Sequence, residues 1–393
     1  MPRFTRLQRS LIRGLERLLN RKPLHGADFQ RAKIRRILIV HTDARLSELL
    51  LATPVFRAMR QSFPAAFICA AVVAKSARLL EGSVYLNEAI PVYESWRRWS
   101  IKKAVKFIRQ MRTKFDVAIV LNTVSHSLPG DLIAFLSRAR YILGSQHPVL
   151  PGATRSFFYN LLAPHSEMQH HATERYLDIV RYIDIETDER SEVVNLNSDE
   201  REWAADFLAD HGVAVTDLII AVHIGADEVA KQWGVKKFLQ VAKYLATHHS
   251  AKILVSWEEM EEDFGREFLS GLPFTVTVLS GLPRRSLAAV IYFADVLICN
   301  ECEVMHLAAS VGTPLVAIYC ETDPAVSKPL GEEFVALEGR RNQPFSTGVD
   351  TVVEQALQLC QSHPKHSRFE AEDFDISEEV LQDYFDILKA FDE

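Results

Sequence analysis

The stretch Arg36-Ile-Leu-Ile-Val-His-Thr-Asp-Ala-Arg-Leu-Ser-Glu-Leu-Leu-Leu-Ala-Thr-Pro54 decides how the chain is read. Arg36 to Val40, with its unbroken aliphatic run from Ile37, reads as a strand buried on both faces. A short polar loop follows, and Ser47 to Phe63 then reads as a helix. Outward from there, Ala66 to Val73 is a second strand and Val84 to Pro91 a short third one. Trp99 to Lys114 is helical, and Asp116 to Leu121 is again a strand. Strands alternating with helices predict a parallel, doubly wound sheet. Acidic and polar residues gather between Ile183 and Asp199, which reads as a linker, and the alternation then restarts. Strands are expected at Leu218–His223, Lys252–Trp257, Thr275–Leu279, Val296–Cys299 and Leu315–Tyr319. Helices are expected at Gly234–His248, Glu261–Ser270, Ser286–Ala294 and Val304–Val311.

The expected fold is therefore α/β, with two Rossmann-like doubly wound domains and a ligand cleft between them. The expected boundaries are a basic arm at 1–33, domains at 34–190 and 191–365, and an acidic C-terminal helix at 366–393. In open α/β sheets ligands sit beyond the carboxyl ends of the strands, so post-strand loops are the places to search.

Composition narrows the class. Of 393 residues, 48% are hydrophobic and 24% charged, the balance of a folded globular chain. Five scattered cysteines do not suggest a disulfide framework and point to a reducing compartment. No apolar run reaches the ~18 residues of a membrane span, and arginines interrupt any signal-peptide core. A cytoplasmic protein is expected. The net charge is −6, but residues 1–36 carry eleven Arg/Lys against Glu16 and Asp28, leaving −15 for the rest. Such an acidic body is a poor nucleic-acid binder, so no nucleic-acid partner is expected. In the arm, Phe4, Leu7, Leu11, Ile12, Leu15, Leu18 and Leu19 recur at helical spacing between Arg6, Arg9, Arg13, Arg17 and Arg21. That helix either packs on the protein's own body or lies at an anionic membrane surface.

Four post-strand segments could carry chemistry. The first, His41 to Pro54, places Glu48 near a helix start, where a carboxylate could act as general base or be idle. The second, His223-Ile-Gly-Ala-Asp-Glu-Val-Ala-Lys-Gln-Trp233, offers Gly225 and Ala226 for close backbone approach and Lys231 as a phosphate-neutralising charge. The bland alternative is a solvated lysine. The third, Trp257-Glu-Glu-Met-Glu-Glu-Asp263, offers acids to ribose hydroxyls, or only an acidic helix start. The fourth, Cys299-Asn-Glu-Cys-Glu-Val-Met-His306, leads from a strand into a helix whose N-terminus suits an anion. Its C-x-x-C spacing has no second pair for zinc, so no metal is expected. Neither a P-loop nor G-x-G-x-x-G is present.

The order of these segments resembles glycosyltransferase family 9, the bacterial ADP-heptose:lipopolysaccharide heptosyltransferases. Arg45-Leu-Ser-Glu-Leu-Leu-Leu-Ala-Thr-Pro54 is similar to the family's R-L-G-D-x-L-L-x-T-P. Leu79 to Ile90 resembles its L-L-x-x-x-P segment, and His171 with Tyr176 to Tyr182 its H…R-Y-L-x-L-L region. His223 to Trp233 matches H-P-G-A…K-x-W, and Asn300 to His306 matches N-D-T-G-P-M-H. Gly312-Thr-Pro314 and Thr322-Asp-Pro324 complete the set. The likeness runs from about Arg36 to Gly331.

The resemblance implies a GT-B fold and an inverting sugar transfer from a nucleotide-sugar donor, ADP-heptose in the family, to a lipid-linked glycan acceptor. It implies Glu48 as catalytic base, with Ser47 and Arg45 on the acceptor side. For the donor it implies Gly225, Ala226, Lys231, an acid at Glu261 or Glu262, Glu301, Cys302, Glu303, Met305 and His306. It implies no cofactor. The arm at 1–33 would then meet the inner membrane. The family's Gly-Asp is Ser47-Glu48 here, and its Thr-Gly-Pro is Cys302-Glu303-Val304, which sets a negative side chain at the pyrophosphate loop. The rival reading is a non-catalytic relative that serves as a glycan-binding or assembly module.

Overall fold

The computed structural model describes Ser10, residues 12–14, Glu16, and residues 21–93, 95–98, 100–123, 127–146, 157–166, 170–226, 228–320, 322–339 and 346–365. Most of the arm stripe and the whole acidic C-terminal helix expected from sequence lie outside these residues. The described chain divides into two compact units between Arg190 and Ser191.

The first unit holds a six-stranded parallel sheet of β1 (Arg36–His41), β2 (Phe67–Val73), β3 (Glu88–Val92), β4 (Val117–Val120), β5 (Tyr141–Ser145) and β6 (Leu161–Ala163), in the order β3-β2-β1-β4-β5-β6. Its main helices are α1 (Leu46–Leu51), α2 (Thr53–Ser62), α3 (Ile101–Arg112), α4 (Leu128–Leu136) and α5 (Ala172–Arg181). The period-2 pleat sends Ile37 and Ile39 of β1 into one core with Leu49, Val55, Phe56, Met59 and Leu177. It sends Leu38 and Val40 into another with Met111, Ile133 and Ala134. Helices therefore cover both faces, the doubly wound arrangement expected from the strand–helix alternation.

The second unit repeats the plan with β7 (Ile219–His223), β8 (Lys252–Ser256), β9 (Thr277–Val278), β10 (Val296–Asn300), β11 (Leu315–Tyr319) and β12 (Phe334–Glu338), in the order β12-β11-β10-β7-β8-β9, all parallel. Its helices are α6 (Ser198–Asp210), α7 (Val235–His249), α8 (Glu262–Gly271), α9 (Arg284–Tyr292), α10 (Glu303–Ser310) and α11 (Val349–Ser362). In both sheets the order reverses beside the unit's first strand, at β1/β4 and at β7/β10. Those are the topological switch points where Rossmann sheets take ligands.

The structure corrects some details. The single helix expected from Ser47 to Phe63 is two, because Pro54 has no N–H to give Leu50; the Thr53 hydroxyl donates to the Leu50 carbonyl instead, at 2.6 Å. β3 starts four residues later than expected, and β9 is only two residues long. β5, β6 and β12 were not foreseen. Residues 21–33, placed in the arm from sequence, are tied to the first unit: Leu24 N–H donates to the Asn160 carbonyl, and Phe29 packs edge-on against Phe63 and Tyr141.

Candidate active site

At the carboxyl end of β1 the chain turns through Thr42–Arg45 into α1. Glu48, one turn into that helix, is held from two sides. Tyr176 of α5 donates its hydroxyl to Glu48 Oε2 at 2.5 Å, and the Arg45 guanidinium stands 3.2 Å from Oε1. Arg45 is itself gripped by Asp43 through its side chain and its backbone N–H. Burial opposes ionisation of Asp43, but these bonds from Arg45 outweigh it and hold the carboxyl below its ordinary range. Tyr176 is fully buried beside Glu48, and both effects push its phenol well above 10, so it stays a proton donor. Its one proton goes to Glu48, so the 3.4 Å contact with His41 Nε2 is a bond donated by the imidazole. A relay of donors thus runs from His41 through Tyr176 to the Glu48 carboxylate. Ser47 is half-buried, with no side-chain partner among the described contacts.

The second switch point is built around Asn300, the last residue of β10. Its side chain donates to the carbonyls of Ile224 (3.2 Å) and Gly225 (2.9 Å) and accepts from Trp233 N–H (2.9 Å). The loop after β7 is thereby fastened to β10. Glu261 secures the same loop, accepting from Ala226 N–H at 3.1 Å and from the Gln232 amide at 3.2 Å. A Cβ on Gly225 would meet the Glu261 carboxylate, which would have to shift to admit it. Lys231 Nζ lies 3.1 Å from Glu301 Oε1, both side chains largely buried, and the Thr322 hydroxyl donates to Glu301 Oε2. Arg284 pairs with Glu258 at 2.9 Å and stands 3.8 Å from Glu303, the first residue of α10. His223 ends β7 with Nδ1 at 2.9 Å from Ser256 Oγ. Its Nε2, beside Gly225, is buried and has no hydrogen-bond partner among the described residues.

The structure sorts the residues expected to bind a donor. Gly225, Ala226, Lys231, Glu261 and Glu301 come together. Glu262 is exposed at the start of α8, apart from them. Cys302, Met305 and His306 turn inward: Cys302 neighbours Cys299, Met305 Sδ accepts from the Tyr319 hydroxyl, and His306 Nδ1 meets Glu192 at 2.8 Å. Glu192 is wholly buried, and desolvation raises its pKa above the ordinary carboxylate value despite His306. Tyr176, His41, Asn300 and Glu192 had been given no role from sequence.

Burial brings the pKa of both His41 and His223 down to about 4. The free side chain titrates near 6.5. A value depressed by folding means the neutral ring fits the fold, so this stability is complete above about pH 6.5 and lost as pH falls through about 4. Each ring is worth up to about 3 kcal/mol over that window. Calorimetric Tm is expected to fall steadily from pH 6.5 to 4, and less steeply in His223→Asn. Equal slopes in the two proteins would contradict the assignment.

The sequence profile of Glycosyltransferase family 9 (heptosyltransferase) matches residues 104–353, well over half of the chain. The chain belongs to glycosyltransferase family 9. A curated relative, lipooligosaccharide heptosyltransferase 2 of Haemophilus influenzae, is 28% identical over 109 residues. That match covers 26% of this chain and 31% of the relative, so the chain spans about a third of the relative's length. Among solved structures, the family 9 glycosyl transferase of Veillonella parvula superposes with a TM-score of 0.73 at 20% identity, covering 84% of this chain and 97% of that one. The ADP-heptose LPS heptosyltransferase II of E. coli gives 0.68 at 18% identity, covering 83% and 99%. An E. coli heptosyltransferase solved with ADP gives 0.66 at 18%, covering 82% and 99%. These likenesses bear out the GT-B fold of two Rossmann-like units.

Proposed function

We propose that this family 9 member is an inverting glycosyltransferase. It moves a heptose-like sugar from a nucleoside-diphosphate donor to a hydroxyl of a lipopolysaccharide-core or related glycan. The observation that carries the reading is the convergence of Lys231, Glu301, the Gly225–Ala226 backbone and the unpartnered His223 Nε2 at the β7/β10 switch point. In the proposed reaction Glu48 takes the proton of the acceptor hydroxyl. The freed oxygen pair attacks the anomeric carbon as its bond to the diphosphate breaks, inverting that carbon. Tyr176 and Arg45 keep the Glu48 carboxylate aimed. Lys231 takes up the charge of the leaving diphosphate, a fixed electrostatic role. Glu261 accepts from the donor ribose and Glu301 from the donor sugar. The relatives named for ADP-heptose chemistry support an ADP-type donor, and no cofactor enters the scheme. Among the described residues no helix is long and apolar enough to cross a membrane. A lipid-linked acceptor calls for attachment at the cytoplasmic membrane face, and the basic arm is one means of it.

A second reading has its own observation. Among the described residues around the β7/β10 loops four carboxylates, Glu258, Glu261, Glu301 and Glu303, stand against three cations, Lys231, Lys237 and Arg284. An anionic diphosphate is less welcome there than a neutral glycan, as a binding module would use. Calorimetry with ADP, GDP, UDP and ADP-heptose separates the two. The transferase reading expects an adenosine diphosphate ligand to bind the wild type, and Lys231→Ala to weaken it. Binding of none of the four would favour the module.

A further inference from the structure

We infer that α3 and α4 of the first unit form a docking surface for an anionic phospholipid bilayer. Along α3, Ile101, Val105 and Ile108 are 85%, 59% and 55% exposed. Their spacing places them in one stripe. The adjoining face of α3, carrying Phe107 and Met111, packs into the core beneath. Lys102, Lys106 and Arg109 form the third side, all exposed. Along α4, Leu128, Leu132 and Leu136 stand 37–56% exposed, while Ile133 and Ala134 enter the same core as Met111. Two helices on one face of the sheet thus carry six of the twelve large apolar side chains left exposed among the described residues. Clustering of this kind marks an interaction surface, where scattered exposure would not.

Charge identifies the occupant. Between residues 95 and 115 the sequence has eight Lys/Arg and no acid, in a chain whose net charge is −6. Near α4 the acid is Asp131, fully buried against the Tyr159 hydroxyl, whereas Arg138 and Arg140 are exposed. Aliphatic side chains bordered by cations suit an interface with acidic headgroups above and acyl chains below. The inference rests on the surface attachment proposed above but assigns it to the folded body, against whose core Ile12 of the arm packs and on whose Phe135 ring Arg21 stacks.

Flotation of the full-length protein with vesicles tests it, using phosphatidylcholine alone and phosphatidylcholine with 30% phosphatidylglycerol. Wild type is expected to float with the anionic vesicles only. Lys102→Glu/Lys106→Glu/Arg109→Glu should lose about a hundredfold in partitioning, at roughly fivefold per basic residue. Ile101→Ser/Val105→Ser/Ile108→Ser should lose about tenfold or more. These positions are exposed, so melting temperatures near wild type confirm folding. A third variant, Arg6→Glu/Arg9→Glu/Arg17→Glu, separates the arm. Loss in this variant with full binding by both α3 variants would overturn the inference and leave the arm as the anchor. Absence of wild-type flotation would overturn both. A lipid-free dimer dissolved by the α3 variants would overturn it in favour of a second copy of the chain.

Discussion

Glu48→Gln is expected to lower kcat about a thousandfold while changing KM little, because a general base typically contributes 10²–10⁴. The amide keeps the volume and can still accept from Tyr176, so the fold and the Tyr176 contact survive. Tyr176→Phe is the sharper test of the geometry. The phenol donates to the ionised carboxylate at 2.5 Å, and a charge-assisted bond of that kind is worth about 1.5–3 kcal/mol. Its loss frees the carboxylate from its aim, so kcat should fall about tenfold or more with KM little changed. A purely structural tyrosine would lower stability and leave kcat in place. Glu48→Asp completes the set. The shorter side chain draws the carboxylate back from Tyr176 by roughly an ångström, and such a misplacement costs about a hundredfold. Full activity in Glu48→Asp would show that Tyr176 does not position the base. Wild-type kcat in Glu48→Gln would remove Glu48 from the chemistry.

Local signals carried the sequence reading as far as the loops and no further. The aliphatic runs of β1, β7 and β10 and the helices after them were legible because a buried parallel strand needs no partner to be recognised. β5 was hidden because Gly144 and Ser145 cut its apolar run to Tyr141–Leu143, and β6 because it is only three residues, Leu161–Ala163; they become strands through pairing with β4 and with each other. The same limit applied to the site. Gly225 and Lys231 stood out by residue type and position. Tyr176 reaches Glu48 across 128 residues, and His306 finds Glu192 across 114. No spacing rule links such pairs. His306 looked like a ligand-binding residue because it is one turn into α10, yet on that turn its side chain faces the core. Glu303 looked like a charge aimed at the anion site. Arg284, brought near by the fold, offsets part of that charge.

Lys231→Ala is expected to weaken nucleoside-diphosphate binding about 10- to 100-fold, the worth of one charge-assisted contact. The argument turns on its partner. Without ligand, Lys231 is held at 3.1 Å by Glu301, with both side chains mostly out of water. A diphosphate must therefore compete with a carboxylate for the same ammonium. Removing only the carboxylate charge should release that hold. Glu301→Gln keeps an acceptor for the Thr322 hydroxyl and should tighten ADP binding by up to about tenfold, since one competing hydrogen-bonded charge is gone. The same change should lower turnover if Glu301 also orients the donor sugar. The double variant Lys231→Ala/Glu301→Gln then decides the case. If the two residues act on the ligand through each other, the gain from Glu301→Gln disappears once Lys231 is absent, and the cycle is non-additive. If Lys231 merely neutralises Glu301 within the fold, Lys231→Ala strands a buried carboxylate and lowers stability. Adding Glu301→Gln would then restore that stability, with ADP affinity the same in all four proteins.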